Sequence, residues 1–332
     1  MRPYLILGIL VIKMVLEIQE QNDIILPSRS EFERKFDQGF VWLTLVLAIG
    51  VIVLLGAIAL TVFFRAIPAI QQSGFGFLIG SGWNPVNDTY GVFPMIYGTM
   101  VSSLIALLIA VPLGVGTAIF LSEDFLPLAV RTPLTFLVEL IAAIPSVVYG
   151  LWGIFVIIPL TNQLGGFLNK NLGWFPLFST PPTGPSMLPA GIVLSIMILP
   201  IITAVARDSF ASLPPDLRQA SLGLGATRWE TIFRVLVPAA FSGVVGGVML
   251  GMGRAMGETM AATMIIGNSN RLNISLLAPG NTIASLLANQ FAEASGLQVA
   301  ALMYAGFVLF ILTLIVNVLA EMIVSRVSAK YR

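Results

Sequence analysis

Arg254 and Glu258, four residues apart, are the only ionisable side chains in an otherwise apolar run, GVVGGVMLGMGRAMGETMAATMIIGN from Gly243 to Asn268. A guanidinium offers a planar fork of donors that matches the oxygens of a phosphate-like anion, and a nearby carboxylate can hold that fork in place between ligands. At about 100° per residue, Gly243, Gly247, Gly251, Arg254 and Glu258 fall within about 80° of one helix face. The glycines form a small-residue stripe that a second helix can approach closely. Counted from Pro238, Arg254 lies roughly 24 Å along the helix, in the outer half of a hydrocarbon layer about 30 Å thick. A charge near the centre of that layer costs ~2.5 to 3.5 kcal/mol on insertion scales, and such residues face a bundle interior or a wet path. Two roles fit the pattern: a neutral staple to a neighbouring helix, or an anion ligand, Arg254, positioned by Glu258. The ligand role is favoured, because a purely structural pair is often no better than an apolar replacement. Ser146, Thr259 and Thr263 add hydroxyls within apolar runs, although such groups also bond back to their own helix.

A second constellation has a different chemistry. Ser212 to Pro238 reads SLPPDLRQASLGLGATRWETIFRVLVP and carries Arg218, Arg228 and Arg234. Ser212 is an N-cap candidate before prolines at first-turn positions, and Leu217, Ala220, Ser221 and Leu224 recur at helical spacing until Gly225. Thr227 and Glu230 predict a capping box for a second helix, with Trp229, Ile232, Phe233 and Leu236 on one face. Two amphipathic helices joined at a glycine pivot needing positive φ make a docking surface, or an ordinary loop on the bilayer.

The elements that position these residues are membrane helices. Hydrophobic residues make up 57% of the chain and charged residues 10%, and the mean hydropathy is +0.94. That is the composition of an all-α, polytopic membrane protein. With no cysteine and no histidine, disulfides, thiolate or imidazole catalysis and the common zinc sites are excluded, and no carboxylate cluster suggests another metal. None of the lysines, Lys13, Lys35, Lys170 and Lys330, follows a glycine, so there is no phosphate-binding P-loop. Any ATP used must be hydrolysed by another chain. A net charge of +1 names no acidic partner, and no nucleic acid is expected.

Six apolar runs reach spanning length: Phe40 to Phe64, Ile96 to Leu121, Pro133 to Leu160, Leu188 to Ala206, Ala239 to Gly267 and Val299 to Val324. The run from Tyr4 to Ile12 is too short to span, and residues 1–26 carry no assignment. With the N-terminus inside, Arg29, Arg34, Lys35, Arg131, Arg207, Arg218, Arg228, Arg234, Arg326, Lys330 and Arg332 face the cytoplasm, against Arg65, Lys170 and Arg271 outside. This places the Ser212 to Pro238 loop in the cytoplasm. Pro112, Pro145 and Pro200 invite kinks in the second, third and fourth spans. The outer aromatics Phe75, Phe77, Trp83, Tyr90, Phe93, Trp174 and Phe175 are expected mostly in an interfacial belt. Glu139 and Glu321, near cytoplasmic span ends, are expected to be structural.

Gln219-Ala220-Ser221, Gly225 six residues after Gln219, and Val235, Val237 and Pro238 resemble the EAA loop of bacterial ABC importer permeases, with Gln219 where the family has Glu. GRAMGETMAATMIIGN, the Trp83 to Leu121 segment and ELIAAIPSVVYGLWGIFVIIPL resemble the phosphate-specific transport (Pst) permeases of the PstC type, from about Phe40 to the C-terminus. The resemblance implies the MetI-like fold of type I ABC importers and a heterodimer with a PstA-type permease. It also implies a PstB-type ATPase dimer that holds ATP-Mg, an external PstS-type phosphate-binding protein, and no cofactor in this chain. Arg254, Glu258, Thr259 and Ser146 would line the substrate path. Gln219, Ala220, Ser221, Gly225, Trp229, Phe233 and Pro238 would couple to the ATPase and pass its motion to the fourth and fifth spans. The expected organisation is a tail over 1–39, a first span with an external segment over 40–94, a permease core over 95–326 with its coupling loop at 212–238, and a tail over 327–332. Another oxyanion importer, an autonomous channel and a membrane enzyme are the alternatives, in falling order.

Overall fold

The structure, a computed structural model, describes residues 31–328. The Tyr4 to Ile12 run and the cations Arg29, Lys330 and Arg332 lie outside the described residues. The chain divides into two compact units after Leu60, and helix α1, Glu31–Ser73, runs through the division. In the second unit α2 (Gly76–Ile79) leads into an antiparallel hairpin of β1 (Trp83–Asn84) and β2 (Thr89–Tyr90). Then come α3 (Phe93–Ser122), α4 (Leu128–Ala142), α5 (Ser146–Trp152), α6 (Ile158–Leu172) and α7 (Met187–Ala211). The chain continues through α8 (Pro215–Gly223), α9 (Arg228–Thr231), α10 (Val237–Gly257), α11 (Met260–Ile265), α12 (Ile283–Gln290) and α13 (Leu297–Ser328). Wide π turns at Gly153–Ile157 and Ile232–Leu236 join α5 to α6 and α9 to α10 without a break.

Among the described residues, six helical stretches are long and apolar enough to cross a membrane: Lys35–Ser73, Phe93–Ser122, Ser146–Leu172, Met187–Ala211, Arg228–Gly257 and Leu297–Arg326. The expected number holds, but two spans differ from the sequence reading. The third was expected from Pro133 to Leu160. Instead the helix stops at Ala142 and restarts at Ser146, with Pro145 extended at φ −59°, ψ 140°. Proline cannot donate to the carbonyl four residues back, which is that of Ile141. The Tyr149 hydroxyl donates to it at 2.8 Å, beside the Ile144 N–H at 3.3 Å, so the break leaves no orphaned acceptor there. Helices α3 and α7 run on through Pro112 and Pro200. The fifth span was expected to continue to Gly267, but α10 ends at Gly257, Glu258 is extended, and the short α11 follows.

The bundle centres on α3 and α7, whose Ala106, Ala110, Ile198 and Ile202 are fully buried, with α5, α10 and α11 packed around them. The glycine stripe of α10 serves this packing. A Cβ on Gly247 would lie 3.1 Å from Val205, and one on Gly251 would lie 3.0 Å from Ile202, so the helix it admits is α7 of the same chain. A second cluster closes the end of the bundle at which α3 begins. In it Phe77, Trp83 and Tyr90 are buried with α12 and α13, and Phe77 stacks on Tyr304 at 4.3 Å. These three aromatics are core, not an interfacial belt, whereas Phe75 and Trp174 are exposed as expected. A third cluster, with Ala118, Ala206, Phe210, Ile232 and Leu236, lies at the opposite end, under the α8–α9 loop.

Candidate functional site

Helix α5 and the short α11 run side by side. A Cβ on Gly150 would touch Ala261 and Met264, and one on Gly153 would touch Ile265. The two helix breaks are therefore neighbours, and the sequence-predicted path residues sit around them. Ser146 is the first residue of α5 and half-buried. Arg254, in the last turn of α10, is exposed on this chain. Thr259 is half-buried, and its hydroxyl donates to the Gly257 carbonyl at 3.2 Å, across the break. The Thr263 hydroxyl donates to the Thr259 carbonyl at 2.6 Å and accepts from Ser285, so it is spoken for.

The expected Arg254/Glu258 pair is not formed. The shared face required helix through residue 258, and the backbone leaves the helix one residue earlier. Glu258 turns the other way, and its Oε1 accepts from the Ala261 N–H at 3.3 Å, satisfying one of the free donors at the start of α11. Glu258 thus shapes the break, and Arg254 keeps an unneutralised guanidinium available to an anion.

The Ser212 to Pro238 loop is more regular than its composition suggests. Helix α8 spans Pro215–Gly223 with Pro214 before it, and Ser212 caps the end of α7 rather than the start of α8. The prolines explain the shift, since a helix start must follow the last residue that cannot extend it backwards. Gly225 has φ +86°, the left-handed value that ends α8. The capping box forms as the spacing predicts: Thr227 Oγ1 accepts from the Glu230 N–H, and the Glu230 carboxylate accepts from the Thr227 N–H at 2.9 Å. The four apolar residues of the second helix do not share one face. Ile232 and Leu236 are buried, while Trp229 and Phe233, 57% and 60% exposed, stack at 5.8 Å on the outside. Gln219 and Ala220 are exposed, Pro238 is half-buried, and the Ser221 hydroxyl bonds that of Thr231 at 2.9 Å, tying α8 to α9.

Sequence reasoning missed what holds this loop to the bundle. Arg218 Nε contacts both oxygens of Glu123, at 3.1 and 3.2 Å, and Nη2 adds a 2.8 Å bond to Oε1. The same guanidinium caps the Leu213 and Phe210 carbonyls. Arg228 donates to the Asp124 carbonyl at 2.7 Å and lies 4.5 Å over the Phe125 ring, which in turn meets Trp229 at 5.5 Å. The connection between α3 and α4 is therefore clamped to the loop by two arginines and an aromatic. The one available signal was an acid, Glu123, directly after an apolar run.

If Trp229 and Phe233 are covered by a partner, Trp229→Ala/Phe233→Ala is expected to leave membrane abundance unchanged, since both side chains already face outward. ATP-driven uptake should fall by roughly tenfold or more, the loss that follows truncation of central aromatic contacts. Transport at the wild-type rate by a normally inserted double variant would exclude a docking role for these rings.

Comparison with known proteins agrees with this architecture. The family model for "Binding-protein-dependent transport system inner membrane component" matches residues 110–329. The "Phosphate transport system permease protein PstC" of Xylella fastidiosa is 45% identical over 293 residues, 87% of this chain and 90% of that protein. The protein of the same name in Mesorhizobium japonicum is 41% identical over 322 residues, 94% of this chain and 98% of that one. Among solved structures, a chain of a bacterial alginate ABC transporter in complex with its alginate-bound periplasmic protein superposes with a TM-score of 0.58. It covers 88% of this chain and 97% of that one at 15% identity, a likeness of fold alone. From the matched residues and the near full-length identity, the chain belongs to the inner-membrane components of binding-protein-dependent transport systems and, among them, to the phosphate transport system permeases of the PstC type.

Proposed function

We propose that this chain is one of two transmembrane subunits of an ATP-driven importer of inorganic phosphate. The observation that carries the reading is Arg254, a guanidinium within a membrane span that Glu258 does not neutralise. Phosphate oxygens match its fork, and the start of the Ser146–Leu172 helix adds partial positive charge beside it. Relatives that carry the PstC name support phosphate as the anion. The chain itself performs no covalent chemistry and holds no cofactor. It supplies half of the path, a PstA-type permease supplies the other half, and a PstB-type ATPase dimer binds ATP-Mg against the α8–α9 loop. A PstS-type protein delivers phosphate from outside. The protein resides in the bacterial inner membrane with the loop and both termini cytoplasmic. In support of that orientation, Arg207, Arg218 and Arg228 all make their contacts at the α8–α9 end of the bundle.

Cells stripped of their own phosphate importers should take up labelled phosphate only when this chain is produced with the partner permease, the ATPase and the binding protein. Sulfate and molybdate in excess should not compete. Competition by either would assign the path to another oxyanion, and uptake without the ATPase would make the chain a channel or an ion-coupled transporter.

A further inference from the structure

Two ion pairs bridge helices at the inner end of the bundle, and they are built differently. Arg218 and Glu123 form the shielded kind, in which three contacts of 2.8–3.2 Å hold a carboxylate that is only 9% exposed. Arg207 and Glu139 form a loose one. A single 3.3 Å contact joins Arg207 Nη1 on α7 to Glu139 Oε1 on α4, with the two side chains 20% and 54% exposed. The other guanidinium nitrogens, Nε and Nη2, reach Asp208 Oδ1 at 3.1 and 3.0 Å, a group still more exposed than Glu139. A pair this open and this long contributes little to stability. Its carboxylates are exchangeable for another anion.

The surroundings leave room for one. Leu128, Arg131, Thr132, Thr135, Phe136 and Glu139 share a face of α4 and line a groove of ≈ 450 Å³ that runs from the start of α4 to the Arg207–Glu139 pair. Such a volume holds on the order of ten waters, and so also a hydrated oxyanion. Two residues past Glu139, the Ile141 carbonyl accepts from Tyr149 on α5. The groove thus joins Arg131, at its far end, to Glu139, the carboxylate that holds Arg207.

We infer that Arg207 is a second binding station for the translocated oxyanion, at the inner end of the path, and that Glu139 occupies it between turnovers. The inference rests on the phosphate-importer reading. An anion arriving from Arg254 displaces the Glu139 carboxylate from the guanidinium, and the returning carboxylate ejects the anion into the α4 groove. Exchange of this kind needs a contact weak enough to break in every cycle, which the 3.3 Å contact is and the Arg218–Glu123 clamp is not.

The test uses the assembled transporter in right-side-out membrane vesicles loaded with ATP and graded unlabelled phosphate, with the binding protein outside. Arg207→Gln is expected to slow uptake by about fivefold or more at unchanged abundance. Glu139→Gln leaves the cation unguarded, so uptake should fall less, and internal phosphate should inhibit it at a several-fold lower concentration than in the wild type. The double variant Arg207→Gln/Glu139→Gln should stay as slow as Arg207→Gln. A mere staple predicts equal losses from the single changes, no altered sensitivity to internal phosphate and recovery in the neutral pair, and that result overturns the inference. Should Arg207→Gln fail to accumulate, Arg207→Lys answers instead: a point charge that cannot grip two oxygens slows uptake, and wild-type uptake by it removes the station. Wild-type vesicles that take up no phosphate would remove the underlying reading itself. Normal wild-type uptake with an inert Arg207→Gln would remove only the station.

Discussion

Arg254→Gln is expected to cut phosphate uptake by roughly thirtyfold or more while the protein remains in the membrane at normal abundance, because one partner of a desolvated charge contact is lost. Abundance should hold because Arg254 is exposed on this chain and the substitution breaks no contact with Glu258. Arg254→Lys keeps a charge but not the fork, so partial uptake is expected. The sequence alone suggested that Glu258 positions Arg254, in which case Glu258→Gln would act through the arginine. The structure changes that expectation. A glutamine oxygen can still accept from the Ala261 N–H, so Glu258→Gln should cost little beyond a weakened helix start, about 1 kcal/mol or less. The double change Arg254→Gln/Glu258→Gln should then be as poor as Arg254→Gln. Uptake of labelled phosphate near the wild-type rate in either variant would sink the ligand role of Arg254.

Glu123→Gln is expected to uncouple the transporter, so that ATP is still hydrolysed but each phosphate taken up costs many more ATP molecules. The substitution leaves Arg218 with two backbone carbonyls and one neutral amide oxygen, and no counter-charge. Breaking such a shielded pair costs up to about 3–5 kcal/mol, enough to loosen the loop on the α3–α4 connection, which Arg228 and Phe125 then hold alone. Motion imposed on α8 and α9 would then reach α3 and α4 only in part. The ratio of ATP hydrolysed to phosphate transported separates this from simple destabilisation, which lowers both together. Arg218→Lys should raise the ratio less, as it keeps the charge without the two-pronged grip. An unchanged ratio in Glu123→Gln would show that force travels through the fourth and fifth spans alone, as the sequence first suggested.

What could be read from the sequence divides by the range of the forces involved. Six spans followed from run length, and the capping box of Thr227 and Glu230 and the positive φ of Gly225 followed from neighbours a few residues away. The helix breaks did not. Pro112, Pro145 and Pro200 look alike in sequence, yet only at Pro145 does the helix stop, where the Tyr149 hydroxyl takes the freed Ile141 carbonyl. Hydropathy cannot register such a stop, since both halves are apolar. The face shared by Arg254 and Glu258 failed for the same reason: it assumed one unbroken helix. Arg218 and Glu123, 95 residues apart, meet only through the packing of the third cluster, under the α8–α9 loop. Glu139 stands near a span end, where a carboxylate reaches interfacial water, and its partner Arg207 is 68 residues away, equally out of local view.

The π turn at Ile232–Leu236 sets a phase. Its closing bond, from the Val237 N–H to the Ile232 carbonyl, encloses one residue more than an α-helical turn does. The outward stack of Trp229 and Phe233 and the glycine stripe of α10 are therefore indexed to each other across an inserted residue. Deleting that residue would restore a continuous α-helix and rotate everything before it by about 100° against everything after it. The rings that now face outward would swing toward the buried cluster of Ile232 and Leu236, while α10 kept its seat on α7. In an alignment, a one-residue gap at this place is thus no neutral event, although the helix would survive it intact.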